Sequence, residues 1–254
     1  MATSDSPAIS VEDLTLAFGS FVVMRDLTFD VEPGEIFAIM GGSGSGKSTL
    51  LKHLLGLLRP TQGTIQLEGR RLWAMDEAER TAQLRRTGVL YQKGALWSSM
   101  TLAENIALPL QEHTDLSPSE IDRLVSLKLA LVGLRGFESF RPHEISGGMR
   151  KRAALARAIA LDPSILFFDE PTSGLDPVSA RRLDDLILQL RDSLGTTVVV
   201  VSHDLESIFT IADRALYLDI ETRTMTALGP PEALREAPPN PRVHQFLTRS
   251  LEAA

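Results

Sequence analysis

Cysteine is absent from the 254 residues, which excludes disulfides, thiolate metal sites and thiol nucleophiles. Long apolar runs are missing too. The longest β-type run, "TTVVVV" at residues 196–201, falls far short of the roughly 18–20 residues that a membrane-spanning helix requires. The opening "MATSDSPAIS" has neither the basic nor the apolar segment of a secretory leader, so the chain is expected in the cytoplasm. Nor is there a surplus of positive charge: 26 Lys and Arg stand against 33 Asp and Glu, and the formal charge of −7 disfavours nucleic acid as a partner. Repeats and low-complexity tracts are lacking. With 43% hydrophobic and 23% charged residues, the composition is that of an ordinary globular chain.

What is present alternates. The segments "ISVEDLTLAF", "FVVMRDLTFDV", "EIFAIM", "GTIQLEG", "TGVLYQ", "SILFFDE", "TTVVVVSHD" and "RALYLD" read as strands, each bounded by Gly, Pro or polar turns. In "DPVSARRLDDLILQLRDSLG", Asp176 reads as an N-cap, Pro177 as the first helical residue and Gly195 as the stop. Val178, Leu183, Leu186, Ile187 and Leu190 are expected on its buried face. Strands alternating with such helices predict an α/β fold with a mainly parallel sheet covered on both sides. Residues 93–160 break the rhythm with helices and no strands. "SPSE" at residues 117–120 forms a capping box for a helix ending near Val132, with Gly133 as its stop. The expectation is a sheet domain over residues 8–228 with a helical subdomain inserted at about 93–160. Residues 229–254 then form a tail holding a Pro-broken pair of short helices, available for a dimer contact.

Residues 41–48, "GGSGSGKS", match the phosphate loop G-x-x-x-x-G-K-[ST]. Gly41, Gly42, Gly44 and Gly46, with Ser43 and Ser45 between them, let successive N–H groups turn toward phosphate oxygens. Lys47 brings a point charge to the β and γ phosphates, and Ser48 offers Mg²⁺ a hydroxyl beside Thr49. The helix that follows turns its positive end to the anion. In "ILFFDEP" a buried strand delivers Asp169 and Glu170 to the sheet edge, where Asp169 can hold Mg²⁺ through water and Glu170 can polarise the attacking water. His203, alone among the five histidines, stands at the end of a buried-type strand, within reach of the γ phosphate or the water. Gln92, ending "GVLYQ", offers a neutral amide to Mg²⁺ or water.

A second glycine pair opens another helix in "ISGGMRKRAALARAIAL". Ser146 can cap it, while Gly147 and Gly148 leave its first N–H groups uncovered. Without a lysine or a strand-end carboxylate it has the chemistry of half a site. "GGSGSGKST", "YQ", "ISGGM", "ILFFDEP", "SGLD" and "VSHD" resemble, in order and spacing, the motifs of the ATP-binding-cassette ATPases, over about residues 9–219. The resemblance implies an α/β P-loop NTPase fold (RecA-like), with an antiparallel β subdomain and an inserted helical signature subdomain. It implies ATP and Mg²⁺ as ligands and a homodimer in which Ser146, Gly147, Gly148 and Met149 close over the nucleotide of the other copy. It further gives Phe18 the adenine-stacking position, Asp176 a place in the loop joining the two sites, and Gln92 a role beside the metal. Ile145 and Met149 stand where that family usually has Leu and Gln.

"YQKGALWSSMTLAENIALPLQEHT", the Met-containing signature and "NPRVHQFL" resemble the ATPases of MCE-type and Mla-type lipid transporters. That resemblance implies phospholipid transport at the cytoplasmic face of the bacterial inner membrane. The partners would be integral membrane permease subunits, an MCE-domain protein and further accessory subunits. Leu96, Trp97 and Met100 would receive a permease helix. Competing readings are an importer of polar solutes such as amino acids, a soluble cassette acting on nucleic acid or ribosomes, and a small-molecule phosphotransferase.

Overall fold

A computed structural model describes residues 6–249; the first five residues and the last five of the tail lie outside the described part. β1 (Ile9–Phe18) and β2 (Phe21–Val31) form a hairpin that buries Ile9, Val11, Leu14, Leu16, Leu27, Phe29 and Val31. β3 (Ile36–Gly41), buried throughout, runs into the loop that starts α1 (Lys47–Leu54). β4 (Gln62–Leu67) and the two-residue β5 (Arg70–Arg71) complete an antiparallel sheet in the order β2-β1-β4-β5. α2 (Glu77–Leu84), opened by a capping box between Asp76 and Glu79, leads to β6 (Thr87–Leu90). Then come α3 (Leu102–His113), α4 (Pro118–Leu131) and α5 (Gly147–Ala158), with no strand among them. The chain alternates again through β7 (Ile165–Asp169), α6 (Pro177–Leu194), β8 (Thr197–Val201), α7 (Leu205–Ile211) and β9 (Arg214–Asp219). It closes with β10 (Thr224–Gly229), α8 (Pro231–Glu236) and α9 (Pro241–Thr248).

The second sheet has the order β10-β9-β3-β8-β7-β6, parallel except where β10 meets β9. Its inner strands are apolar on both faces, and the period of two decides which core each side chain enters. Ile36, Ala38, Met40, Leu166, Phe168, Val198 and Val200 face the layer of α3 to α7. Their neighbours Phe37, Ile39, Ile165, Phe167, Val199 and Val201 pack with α1 and the antiparallel sheet. Parallel register lines up the carboxyl ends of β3, β8 and β7, so Gly41, Val201 and Asp169 finish on one edge. Ligands of open α/β sheets bind at such an edge.

The caps fall where the sequence put them. Asp176 Oδ1 accepts the Ser179 N–H at 3.0 Å, Gly195 ends α6 at φ +65°, and Gly133 follows α4 at φ +67°. Val178 differs: it is 62% exposed, whereas Leu183, Leu186, Ile187 and Leu190 are buried. At 3.6 residues per turn it lies about 130° around the helix from the mean of those four, so it never shared their face. β5 and β10 carry no strong sequence signal, whereas α2 opens at the D-x-x-E pattern of residues 76–79. β10 pairs only with β9 at the sheet edge and alternates Thr, Met and Ala without an apolar run.

Candidate functional site

The loop after β3 adopts a backbone that a side chain would obstruct. A Cβ on Gly41, at φ +148°, would sit 2.5 Å from the Leu218 carbonyl oxygen and 2.7 Å from Ser45 Oγ. Gly46, at φ +83°, is the N-cap of α1, which has neither a side-chain cap nor an acidic residue in its first turn. Its first N–H groups are thus left for an outside acceptor, and the helix dipole favours an anion. The Lys47 ammonium is almost fully buried and donates to the carbonyls of Gly41 and Gly42, both at 2.8 Å. Burial pulls its pKa down against the opposing pull of the Glu170 and Asp169 carboxylates. Ser48 is exposed beside it, and the Thr49 carbonyl accepts the His53 Nδ1–H at 2.8 Å.

Across the cleft β7 ends in the two acids. Burial, and next the charge of Glu170, push the Asp169 pKa above the usual carboxylate range. Among the described residues, Asp169 Oδ1 and Glu170 Oε2 are buried with no hydrogen-bond partner. Unsatisfied buried oxygens of this kind are uncommon and suit an absent cation or water. The other oxygen of Glu170, Oε1, accepts the His203 Nδ1–H at 2.8 Å. Glu170 itself holds φ +50°, a conformation disfavoured for a residue with a side chain. Gln92 lies two residues past β6, its amide 3.5 Å from Ser173 Oγ. Residues 41–44, Lys47, Ser48, Gln92, Asp169, Glu170 and His203 together line one cleft of about 730 Å³, the size of a small-molecule site.

The same cleft is lined by residues that motif reading missed: Leu205, and Gln245, Phe246 and Arg249 at the end of α9. α9 is anchored beside the phosphate loop. Phe246 stands edge-on to Tyr217 at 5.2 Å between centroids, and Arg242 donates to Asp219 at 2.9 Å and also pairs with Glu221. The tail helix therefore packs on its own chain, with Val243 and Leu247 in the core.

Ser146, Gly147, Gly148 and Met149 are not part of the cleft lining. Ser146 is exposed, and its Oγ accepts the Met149 N–H at 3.2 Å as the cap of α5. A Cβ on Gly148 would lie 3.2 Å from Ser179 Oγ, so the start of α5 abuts the start of α6, which Asp176 caps. Met149 packs partly against the core. Phe18 and Phe21 face each other at the tip of the first hairpin, both more than half exposed. The guanidinium of Arg223 covers Phe21 at 5.0 Å, leaving Phe18 as the uncovered ring.

The segment after Gln92 is held by side chains the sequence did not mark. Buried Asn105 accepts the Trp97 N–H at 2.7 Å and donates to the carbonyls of Trp97 and Thr101 at 3.1 and 2.9 Å. Arg157 of α5 donates to the carbonyls of Gly94 and Ala95 at 3.1 and 2.8 Å. Trp97 is 58% exposed, Met100 lines a surface hollow with Ala103 and Leu108, and Leu96 leans on the core. The Asn105 bonds are local, to residues four and eight positions earlier, whereas only the tertiary fold brings Arg157 to its carbonyls.

The profile of a family described as "ABC transporter" matches residues 24–173. The chain is 44% identical over 239 residues to the intermembrane phospholipid transport system ATP-binding protein MlaF of Haemophilus influenzae, covering 94% of this chain and 89% of that one. It is 41% identical to the protein of the same name from Escherichia coli K12, covering 97% and 91%. A Mycobacterium leprae protein named "Probable ribonucleotide transport ATP-binding protein mkl" is 44% identical, covering 94% of this chain and 68% of that protein. Among solved structures, a dimeric bacterial ABC transporter cassette superposes with a TM-score of 0.79 at 29% identity, covering 87% of this chain and 98% of that one. A dimeric post-hydrolysis cassette bound to ADP and Pi gives 0.78 at the same identity and coverage.

Proposed function

Because the chain belongs to the ABC transporter family, as one of its ATP-hydrolysing cassettes, we propose that it powers phospholipid transport between bacterial membranes by closing head to tail with a second copy around ATP. The observation that carries the mechanism is the division of the site. Loop, acids and histidine share one cleft, while the exposed start of α5 lies outside it and is left for another copy's nucleotide.

The phosphate loop and the first turn of α1 cradle the β and γ phosphates, and Lys47 exchanges its two carbonyl partners for phosphate oxygens. Ser48, Gln92 and Asp169 would hold Mg²⁺, which suits the unpaired Asp169 Oδ1 and the cost of ionising that acid in a buried place. When bound, the ion neutralises charge on the phosphates. Glu170 Oε2 takes the proton of the attacking water, and His203, fixed through Nδ1, turns Nε2 toward the γ phosphate. Ser146 and the N–H groups of Gly147 and Gly148 complete the other copy's site. Phe18 stacks on adenine, and Asp176, at the start of α6, lies where the two copies meet.

Phospholipid as cargo is supported by the two MlaF relatives, of which the chain spans 89% and 91%. The mkl relative, named for ribonucleotides, favours polar cargo, but the chain spans only 68% of it. Among the described residues no helix is long and apolar enough to cross a membrane. In this reading the chain sits on the cytoplasmic face of the inner membrane beneath permease subunits that seat a short helix near Trp97 and Met100, with an MCE-domain protein and accessory subunits in the complex.

Two measurements test the proposal. Glu170→Gln should slow ATP hydrolysis by about 10²- to 10⁴-fold while ATP still binds; near-normal turnover removes Glu170 from its role. Purification of the intact membrane complex followed by mass spectrometry should find bound phospholipid. A polar solute in its place would support the second reading.

A further inference from the structure

α5 begins at Ser146, which the proposed function gives to the other copy's nucleotide, yet one turn later it reaches into its own copy's site. Lys151, almost fully buried, donates through Nζ to the carbonyl of Gln92 and, at 3.2 Å, to the carbonyl of Glu170. These two backbone oxygens belong to the segments that carry the proposed metal-side amide and the proposed base. Burying an ammonium is costly unless its donors are used, and here both carbonyls and the nearby charges of Asp169 and Glu170 offset part of the cost.

The contact falls where the backbone needs holding. Glu170 keeps its φ of +50° between a hydrogen bond from its own N–H to the Val201 carbonyl at 2.8 Å and the Lys151 bond on its carbonyl. Six residues along the same helix, Arg157 holds the carbonyls of Gly94 and Ala95. One rigid element thus grips Gln92, Gly94, Ala95 and Glu170 by their backbones and presents Ser146 at its tip.

We infer that Lys151 is a positioning residue for hydrolysis: it fixes the backbone of Gln92 and Glu170 to the signature helix, so that seating Ser146 on the partner's nucleotide sets the geometry of this copy's own site. The inference rests on the two-copy reading above. Lys151 touches neither substrate nor water in this role. Its loss should appear in the chemical step and spare nucleotide affinity.

The test is a steady-state and binding comparison of Lys151→Met and Lys151→Arg in the purified protein. Lys151→Met should lower kcat by roughly 10- to 100-fold, the cost of a small misplacement, with KM and monomer affinity for ATP within about twofold of wild type. Lys151→Arg, which keeps the charge and the donors, should recover most of kcat. A Lys151→Met kcat within about twofold of wild type overturns the inference. So does a loss in which ATP affinity and thermal stability fall with the rate and Lys151→Arg is equally poor, because that pattern marks a purely structural lysine. If Lys151→Met does not fold, Lys151→Arg decides alone: near-normal kcat supports the role, and a tenfold or greater loss of kcat removes it. ATP-driven dimerisation of Glu170→Gln, with and without Lys151→Met, separates this from the reading beneath it. If both proteins dimerise and Lys151→Met hydrolyses normally, only the role of Lys151 falls; if neither dimerises, the two-copy mechanism falls with it.

Discussion

Two helices of this chain, α1 and α5, start at glycine-rich turns with no acidic residue in the first turn, but their surroundings differ. Before α1 the cap is Gly46 with no side-chain bond, and the loop is enclosed by Lys47, Asp169, Glu170 and His203. Before α5 the cap is Ser146, exposed and already bonded to Met149 N–H, with the start of α6 as its neighbour. α2, α3, α4 and α7, in contrast, each carry an acidic residue in the first turn that answers the helix dipole internally. Both glycine starts leave that charge unanswered. In the proposed function both starts offer an anion their free N–H groups, whereas hydrolysis needs the strand-end acids that only the first start has beside it.

The largest expected effect tests that division. Ser146→Arg should cut hydrolysis by at least about 10²-fold, as removal of transition-state donors does, while the isolated monomer keeps its affinity for ATP. Mixing Ser146→Arg with Glu170→Gln should restore activity well above either variant alone, because one of the two composite sites then carries both intact halves. A mixture as inactive as its parts would break the comparison, since Ser146 would then serve its own chain.

A smaller effect concerns α6, against which α5 starts. Asp184 of α6 is buried, accepts the Ser207 hydroxyl at 2.7 Å, and is pushed up to about 6 mainly by that burial. A carboxyl whose pKa is raised by folding favours the fold fully below its unfolded value, and the benefit is lost as pH rises through the folded value. Asp184→Asn keeps an acceptor for Ser207 without the charge. It should add up to about 3 kcal/mol of stability above pH 6 and almost nothing near pH 3, measured by chemical denaturation across that range. Equal gains at both pH values would show that charge burial is not the cause.

The smallest effect lies at the rim of the first start. Phe18→Ala should weaken ATP binding by about three- to tenfold, the worth of one aromatic stack, whereas Phe21→Ala should change it less because Arg223 already covers that ring. Equal losses in calorimetry would mean that the two rings are interchangeable.

Much of this was legible before the fold was known, and for local reasons. The glycines of the phosphate loop, the cap at Asp176, the stops at Gly133 and Gly195 and the apolar run before Asp169 act within a few residues of themselves. Val178 shows the limit of pattern reading, since an apolar residue in a helix is not thereby on its buried face. Lys151 and Arg157 look like surface charges of a basic helix, and nothing in "RKRAALARA" distinguishes them from Arg150. Gln245, Phe246 and Arg249 lie some two hundred residues from the phosphate loop with which they line the cleft.

The sequence by itself determined most of the elements, many of their ends and the chemistry those ends offer, because caps, glycine turns and strand periodicity depend on neighbouring residues. Only the tertiary structure decided which ends meet. The order β3-β8-β7-β6 gathers Gly41, His203, Asp169 and Gln92 at one edge, leaves Ser146 outside it and lays Lys151 beneath it. The physical reason is that strand order and helix packing are settled by burying two apolar faces at once, a condition on the whole chain that no short stretch of it contains.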